Sequence, residues 1–97
     1  MVPHGQGTFK YNNGDSYYGN FKYGKKNGSG ELYLMNGDVY SGNFKNDMYN
    51  GYGKISYIDG SYYKGEFRKG KRHGQGEYVD SLNRRKEGLW ENDDFKN

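Results

Sequence analysis

The segment from Val39 to Gly60, VYSGNFKNDMYNGYGKISYIDG, is the unit from which the rest of the chain is copied, at an interval of 23 residues. Tyr40, Gly42 and Phe44 alternate along it, and after a polar stretch Gly51, Gly53, Ile55 and Tyr57 do the same. A period of two is the mark of a half-buried strand, so each unit predicts two short strands. One interval toward the N-terminus, the pattern falls on Tyr17, Gly19, Phe21, Gly28, Gly30, Leu32 and Gly37. One interval the other way it falls on Tyr63, Gly65, Phe67, Gly74, Gly76 and Tyr78. Agreement at this many positions makes the chain a repeat array. Gly5, Gly7, Phe9 and Gly14 continue the register before the first whole unit, and Gly88 and Trp90 after the third. The chain is therefore expected to be one array over residues 1–97: a half repeat at 5–16, whole repeats at 17–39, 40–62 and 63–85, and a capping half repeat at 86–97.

The pattern resembles the MORN repeat family (membrane occupation and recognition nexus), whose hallmark is Tyr-x-Gly-x-Phe/Trp followed by a Gly-x-Gly pair. Here it stands as YYGNF with GSG, YSGNF with GYG, and YKGEF with GQG. The last partial repeat, RKEGLWEN from Arg85 to Asn92, is similar to that of small retinophilin-type members. The resemblance implies a non-catalytic scaffold or adaptor, with a cytoskeletal protein or motor tail as partner. It also implies an alternative: a module for acidic phospholipids, phosphoinositides above all, beside a lipid kinase.

Composition agrees with a β-array. A hydrophobic content of 31% would ordinarily argue for disorder, but aromatic residues make up 19% and there are 17 glycines and 12 tyrosines. The apolar surface thus comes from rings. There is no cysteine, so disulfides and thiolate chemistry are excluded. No apolar run approaches the roughly 20 residues of a membrane span, and MVPHGQG has no signal-peptide core, so a soluble, cytoplasmic protein, peripheral to a membrane or the cytoskeleton, is the expectation. Asn27-Gly-Ser matches a glycosylation acceptor by chance on that reading.

The turns Asn12-Asn13-Gly14, Met35-Asn36-Gly37 and Ile58-Asp59-Gly60 set the strand register. A two-residue loop would turn the next aromatic triad to the polar face. A three-residue loop with glycine in the left-handed position pairs Ile55 with Tyr63 and Gly53 with Gly65, keeps the apolar positions together, and is the prediction. One face then carries Tyr40, Gly42, Phe44, Gly51, Gly53, Ile55 and Tyr57; the other carries Ser41, Asn43, Tyr52, Lys54 and Ser56. The fold class expected is an all-β, single-layer, twisted antiparallel meander of about eight strands. Gly19, Gly28, Gly30, Gly42, Gly51, Gly53, Gly65, Gly74 and Gly76 serve as structural slots for rings of neighbouring strands.

No helix-period segment exists to cover the apolar face. Strands about 4.8 Å apart and about 3.3 Å per residue give it roughly 650 Å², more than a monomer usually leaves open. The expectation is an open groove lined by Tyr17, Phe21, Tyr40, Phe44, Tyr57, Tyr63, Phe67 and Trp90, receiving an amphipathic segment or a second copy. The unpaired first strand offers a further route to a homo-oligomer. At the other end Asp80, Asn83 and Lys86 replace repeat residues, so the array is expected to close there and to fray beyond Asn92.

Residues 22–27, 45–50 and 68–73 read as the longer connections on one margin, with eight Lys or Arg against one Asp. Lys25, Lys26, Lys71 and Arg72 centre this margin as candidates for an anionic lipid surface. Catalysis finds no constellation. Gly19 to Lys26 and Gly65 to Arg72 come within one residue of a phosphate-binding loop, but Lys26 or Arg72 stands where a hydroxyl is needed. His4 and His73 stand alone, so neither a metal nor another cofactor is expected. Glu31, Glu66 and Glu77 fall on the wet face as solvated groups. The aromatics follow structural glycines and do not interleave with basic residues, which argues against nucleic acid. A single tryptophan, Trp90, supplies too few rings for the cages of a choline-binding repeat.

Overall fold

Alternation and turn chemistry produce one antiparallel meander. The computed structural model describes residues 4–97, which form a single sheet in strict chain order. Its strands are β1 (Gly5–Lys10), β2 (Ser16–Lys22), β3 (Lys25–Tyr33), β4 (Val39–Lys45), β5 (Met48–Ser56), β6 (Tyr62–Arg68), β7 (Lys71–Val79), β8 (Arg85–Glu91) and β9 (Asp94–Phe95). No described residue is helical.

The three-residue loop is observed. Ile55 pairs with Tyr63 and Gly53 with Gly65, Tyr57 N–H donates to Ser61 O at 2.8 Å, and Gly60 takes φ of 93°. The same geometry recurs at Gly14 and Gly37, and Asn83 adopts it with φ of 66°, so the array runs on through the irregular third turn. The opposite connections are shorter than expected. Residues 22–27, 45–50 and 68–73 are tight two-residue hairpins, not loops. Both central residues have positive φ: Tyr23 and Gly24, Asn46 and Asp47, Lys69 and Gly70. That is the backbone of the hairpin turn whose twist matches its strands. Their flanks are strand, as Lys22↔Lys25, Lys45↔Met48 and Arg68↔Lys71 show. Asn92 and Asp93 repeat the turn and start β9, so the chain beyond Asn92 is paired, not frayed: Trp90 faces Phe95, and Lys96 N–H donates to Leu89 O at 2.8 Å.

The sheet supplies its own core. Pairing aligns Gly7, Gly19, Gly30, Gly42, Gly53, Gly65, Gly76 and Gly88 in one row across eight strands. Tyr17, Tyr40 and Tyr63 lie down on this row. A Cβ on Gly30 or Gly53 would meet a ring carbon of Tyr17 or Tyr40 at 2.6 Å. Each phenol reaches past its glycines to donate to a carbonyl three residues on: Asn20 at 2.8 Å, Asn43 at 2.7 Å, Glu66 at 2.8 Å. Phe21, Phe44, Phe67 and Trp90 stand edge-on between these rings. Tyr17 lies 5.0 Å from Phe21 and 5.2 Å from Phe44; Tyr40 lies 4.9 Å from Phe44 and 5.3 Å from Phe67. Tyr63 continues the row to Phe67 and Trp90.

This packing removes the open groove expected from the sequence. All three tyrosines are 0% exposed, and the four partner rings are no more than 6% exposed. An area computed for a flat sheet overlooks rings that lie down, each covered by the next repeat.

The two glycine roles separate in stability. Gly53→Ala should lower unfolding free energy by about 3 kcal/mol, because the methyl has no room beneath Tyr40. Gly60→Ala, with nothing within 4 Å of the added carbon, should cost about 1 kcal/mol through its left-handed backbone alone. Urea denaturation of both variants measures the difference, and equal losses would refute the slot.

Candidate functional site

The ring face is built in tiers. Its floor is the glycine row and its middle is the herringbone of Tyr17, Phe21, Tyr40, Phe44, Tyr63, Phe67 and Trp90. Its upper tier holds Lys26, Tyr49 and Arg72, one interval apart and each above one tyrosine of the middle tier. Tyr49 stacks on Tyr40 with centroids 3.9 Å apart and planes at 4°. Lys26 Nζ lies 5.6 Å from the Tyr17 centroid and 4.6 Å from Tyr11. The Arg72 guanidinium lies 5.8 Å from Tyr63, 5.8 Å from Tyr78 and 5.1 Å from Trp90. A cation over a ring face is attracted by the ring quadrupole, so both charges are anchored while part of each head stays wet.

Each lid is clamped by the next hairpin. Asp47 N–H donates to Lys26 O at 3.0 Å, and Asp47 Oδ1 accepts from Lys26 N–H at 2.7 Å. Asp93 does the same for Arg72, at 2.9 Å in both directions. The carboxylates also sit 3.6 Å from Lys26 Nζ and 3.4 Å from Arg72 Nε. At the middle lid Gly70 N–H donates to Tyr49 O at 2.9 Å, and no carboxylate is present. Basic lids thus have Asp and the uncharged lid has Gly.

Two of the four residues expected on a basic margin are therefore elsewhere. The side chains of Lys26 and Arg72 are 12% and 24% exposed and belong to the ring face, whereas Lys25 and Lys71 are exposed in strands beside the turns. Sequence reading missed the lids because it took residues 45–50 for a loop. The interval linking Lys26, Tyr49 and Arg72 was the signal that could have found them. Tyr57 is half-buried beside Tyr11, Leu34, Tyr49 and Tyr78, which pack against the core from its rim. Next to Arg72, Tyr57 and Tyr78 line an open depression of about 450 Å³ with Ile58, Asp38, Asp59 and Ser61.

Among the structural glycines, Gly19, Gly30, Gly42, Gly53, Gly65 and Gly76 lie under rings. Gly28, Gly51 and Gly74 instead take φ of 88°, 87° and 92° beside the register shifts. His4 and His73 do not meet; the His4 ring packs against Tyr23 at 5.5 Å with the planes tilted by 55°. Among the described residues no group of three or more His, Asp or Glu could hold a metal ion.

Burial shapes the titration of this face. Loss of water pushes the phenols of Tyr17, Tyr49 and Tyr63 up to about 12 and raises Tyr40 further. A group whose folded pKa is raised keeps its full contribution below the unfolded value, near 10, and loses it as pH climbs through the folded value. These tyrosines should leave stability flat up to about pH 10 and lower it steadily toward 12. Ultraviolet titration should show a group of tyrosines ionising in one step with loss of the β-sheet circular-dichroism signal. Ionisation of every phenol near pH 10 without unfolding would refute it.

The MORN repeat family model matches residues 2–16, 17–39, 40–62 and 63–81, most of the chain, and the protein belongs to that family. No curated protein matches the chain. Among the described residues there is no helix long and apolar enough to cross a membrane.

Proposed function

We propose that the protein is a non-catalytic MORN-repeat scaffold that binds an amphipathic segment of a protein partner across its ring face. The observation that supports this reading is the lid row of Lys26, Tyr49 and Arg72. It presents cation, ring and cation in line, at one interval per repeat, beside the half-buried rings of Tyr11, Tyr57 and Tyr78. The buried herringbone gives the row a rigid base, and rigid aromatic and arginine side chains are the usual anchors of protein interfaces. The partner chemistry that fits is apolar side chains over Tyr49 and Tyr57 with carboxylates at either end, toward Lys26 and Arg72. A cytoskeletal or motor segment with that pattern is one such partner.

The alternative, an acidic phospholipid surface held by Lys25, Lys26, Lys71 and Arg72 together, is less well served. Lys26 and Arg72 belong to the ring face while Lys25 and Lys71 are exposed beside the turns, so the four do not form one surface.

The test is calorimetric titration of the protein with a short peptide alternating leucine and glutamate, and with its leucine–lysine counterpart. The acidic peptide should bind and the basic one should not. Lys26→Gln with Arg72→Gln should weaken the acidic peptide about tenfold, corresponding to about 1.4 kcal/mol. The fold tolerates an uncharged lid, as Tyr49 shows, so undiminished affinity in a folded double variant would sink the reading.

A further inference from the structure

The margin formed by the three-residue turns carries a surface that neither the core nor the ring face uses. Met35, Ile58 and Leu82 stand on consecutive turns and are 75%, 72% and 71% exposed. Each is fixed through its backbone. Met35 N–H donates to Asp15 Oδ1 and Ile58 N–H to Asp38 Oδ1, both at 2.9 Å, and Leu82 N–H donates to Asp80 Oδ1 at 3.0 Å. In the first two cases the carboxylate belongs to the preceding turn, so the turns are tied into one row. Single exposed aliphatic side chains are ordinary, but three on a rigid row make a ridge.

The ridge has one empty seat. Met35 lies against the glycine of the preceding turn, Gly14, where an added Cβ would meet its Sδ at 2.8 Å; Ile58 lies against Gly37 in the same way, at 3.6 Å. Nothing comes within 4 Å of a Cβ added to Gly60. Ser81 stands where Met35 and Ile58 stand in their turns, and it does not reach back. Leu82 follows one place late, with Asn83 taking the left-handed backbone that glycine has elsewhere. A notch therefore remains over Gly60, between Ile58 and Leu82.

The surroundings are acidic. Residues 11–15, 34–38, 57–61 and 80–84 hold Asp15, Asp38, Asp59 and Asp80 against a single Arg84, which Asp80 binds at 2.7 Å. The open depression beside Ile58 sets the Tyr57 ring next to Asp38 and Asp59, and the Arg72 in its lining is ion-paired with Asp93. An aliphatic ridge among carboxylates is repelled by an anionic membrane surface and by a second copy of itself. It is complementary to an apolar stripe flanked by Lys or Arg. Spacing decides the conformation of that stripe. Neighbouring turns on this margin are two strands, or about 9.6 Å, apart. Residues seven apart in a helix are separated by about 10.5 Å and lie on nearly the same side. An alternating strand repeats its apolar side chains about every 6.6 Å and falls out of step, so the strand-patterned peptides suited to the ring face do not suit this margin.

We infer that the turn margin docks a basic amphipathic helix of a partner protein. One aliphatic side chain of the helix seats over Gly60, between Ile58 and Leu82. The next, seven residues away, rests on Ile58 and Met35, and flanking Lys or Arg side chains face Asp38 and Asp59. The surface is independent of the ring face and selects the opposite charge.

The probe is an alanine-based helical peptide of three heptads, with leucine at every seventh position and lysine on either side of each leucine. Calorimetry should show that it binds, with the amide shifts of Gly37 and Gly60 locating it. Its counterpart with glutamate for lysine, and one with leucine at every fifth position, should not bind. Ile58→Ser with Leu82→Ser should lower affinity at least tenfold. Tyr52→Ser with Leu89→Ser, which removes exposed apolar side chains elsewhere, should change it less than threefold. Gly60→Asn fills the notch with a residue that the next turn already accepts at Asn83, and should also lose at least tenfold. Lys26→Gln with Arg72→Gln removes the charges of the ring face and should leave the helix bound as before, so a failure of the ring-face reading is told apart from a failure here. No binding of the lysine helix, equal losses in the two serine variants, or loss only in the ring-face variant would overturn the site.

Discussion

A tyrosine lying flat on a pair of glycines is the contact on which this molecule depends. Tyr17 on Gly19 and Gly30, Tyr40 on Gly42 and Gly53, and Tyr63 on Gly65 and Gly76 are the same arrangement three times. A single sheet normally needs a second layer to bury its apolar face. Here the missing Cβ atoms lower the floor enough for the rings to become that layer. The phenol is needed as well as the ring, since its hydroxyl lies over backbone and takes up the carbonyl of Asn20, Asn43 or Glu66. Without the hydroxyl that carbonyl would lose its donor, so phenylalanine is not an equivalent residue. Each tyrosine also leans on the aromatic residue of the following repeat. No repeat is complete alone, and stability accrues through nearest neighbours, as in other linear arrays.

The ends of the row show what the contact requires. At position 86 the repeat would place a fourth tyrosine, but Lys86 stands there. The place over Gly88 is taken instead by the backbone of Asn97, which β9 carries back onto the sheet. Trp90 compensates in part: it packs on Tyr63 and sends its indole N–H to Gly76 O at 3.0 Å. The last whole repeat thus remains covered without another copy of the unit.

Much of this was legible from the chain because the repeat states the same constraint several times. The interval gave the meander, and keeping Tyr63 and Ile55 on one face selected the three-residue loop. Two matters were not legible. Whether rings stand up or lie down depends on the volume above a glycine row, and alternation says only which face they occupy. The two-residue hairpins were obscured because Tyr23 and Lys69 adopt positive φ, which their residue types disfavour. The strand starts at Lys25, Met48 and Lys71 were hidden with them. Lys26 and Arg72 then looked like rim charges when they are lids.

Variation in this array falls where the packing of rings on glycines permits it. The positions that pack, Tyr40 and Gly53 and Phe44 with their equivalents, hold their chemistry from unit to unit because a change there unseats two neighbours. The lid changes from Lys26 to Tyr49 to Arg72, and its clamp changes with it, from Asp47 to Gly70 to Asp93. Asp is useful only where a cation sits above it, and Gly suits the left-handed turn where none does. On the other face Asn20 and Asn43 give way to Glu66, and Lys25 to Met48. These positions lie outside the buried ring cluster, so they vary without unseating it. The scaffold repeats, while the charge on its two faces changes from unit to unit.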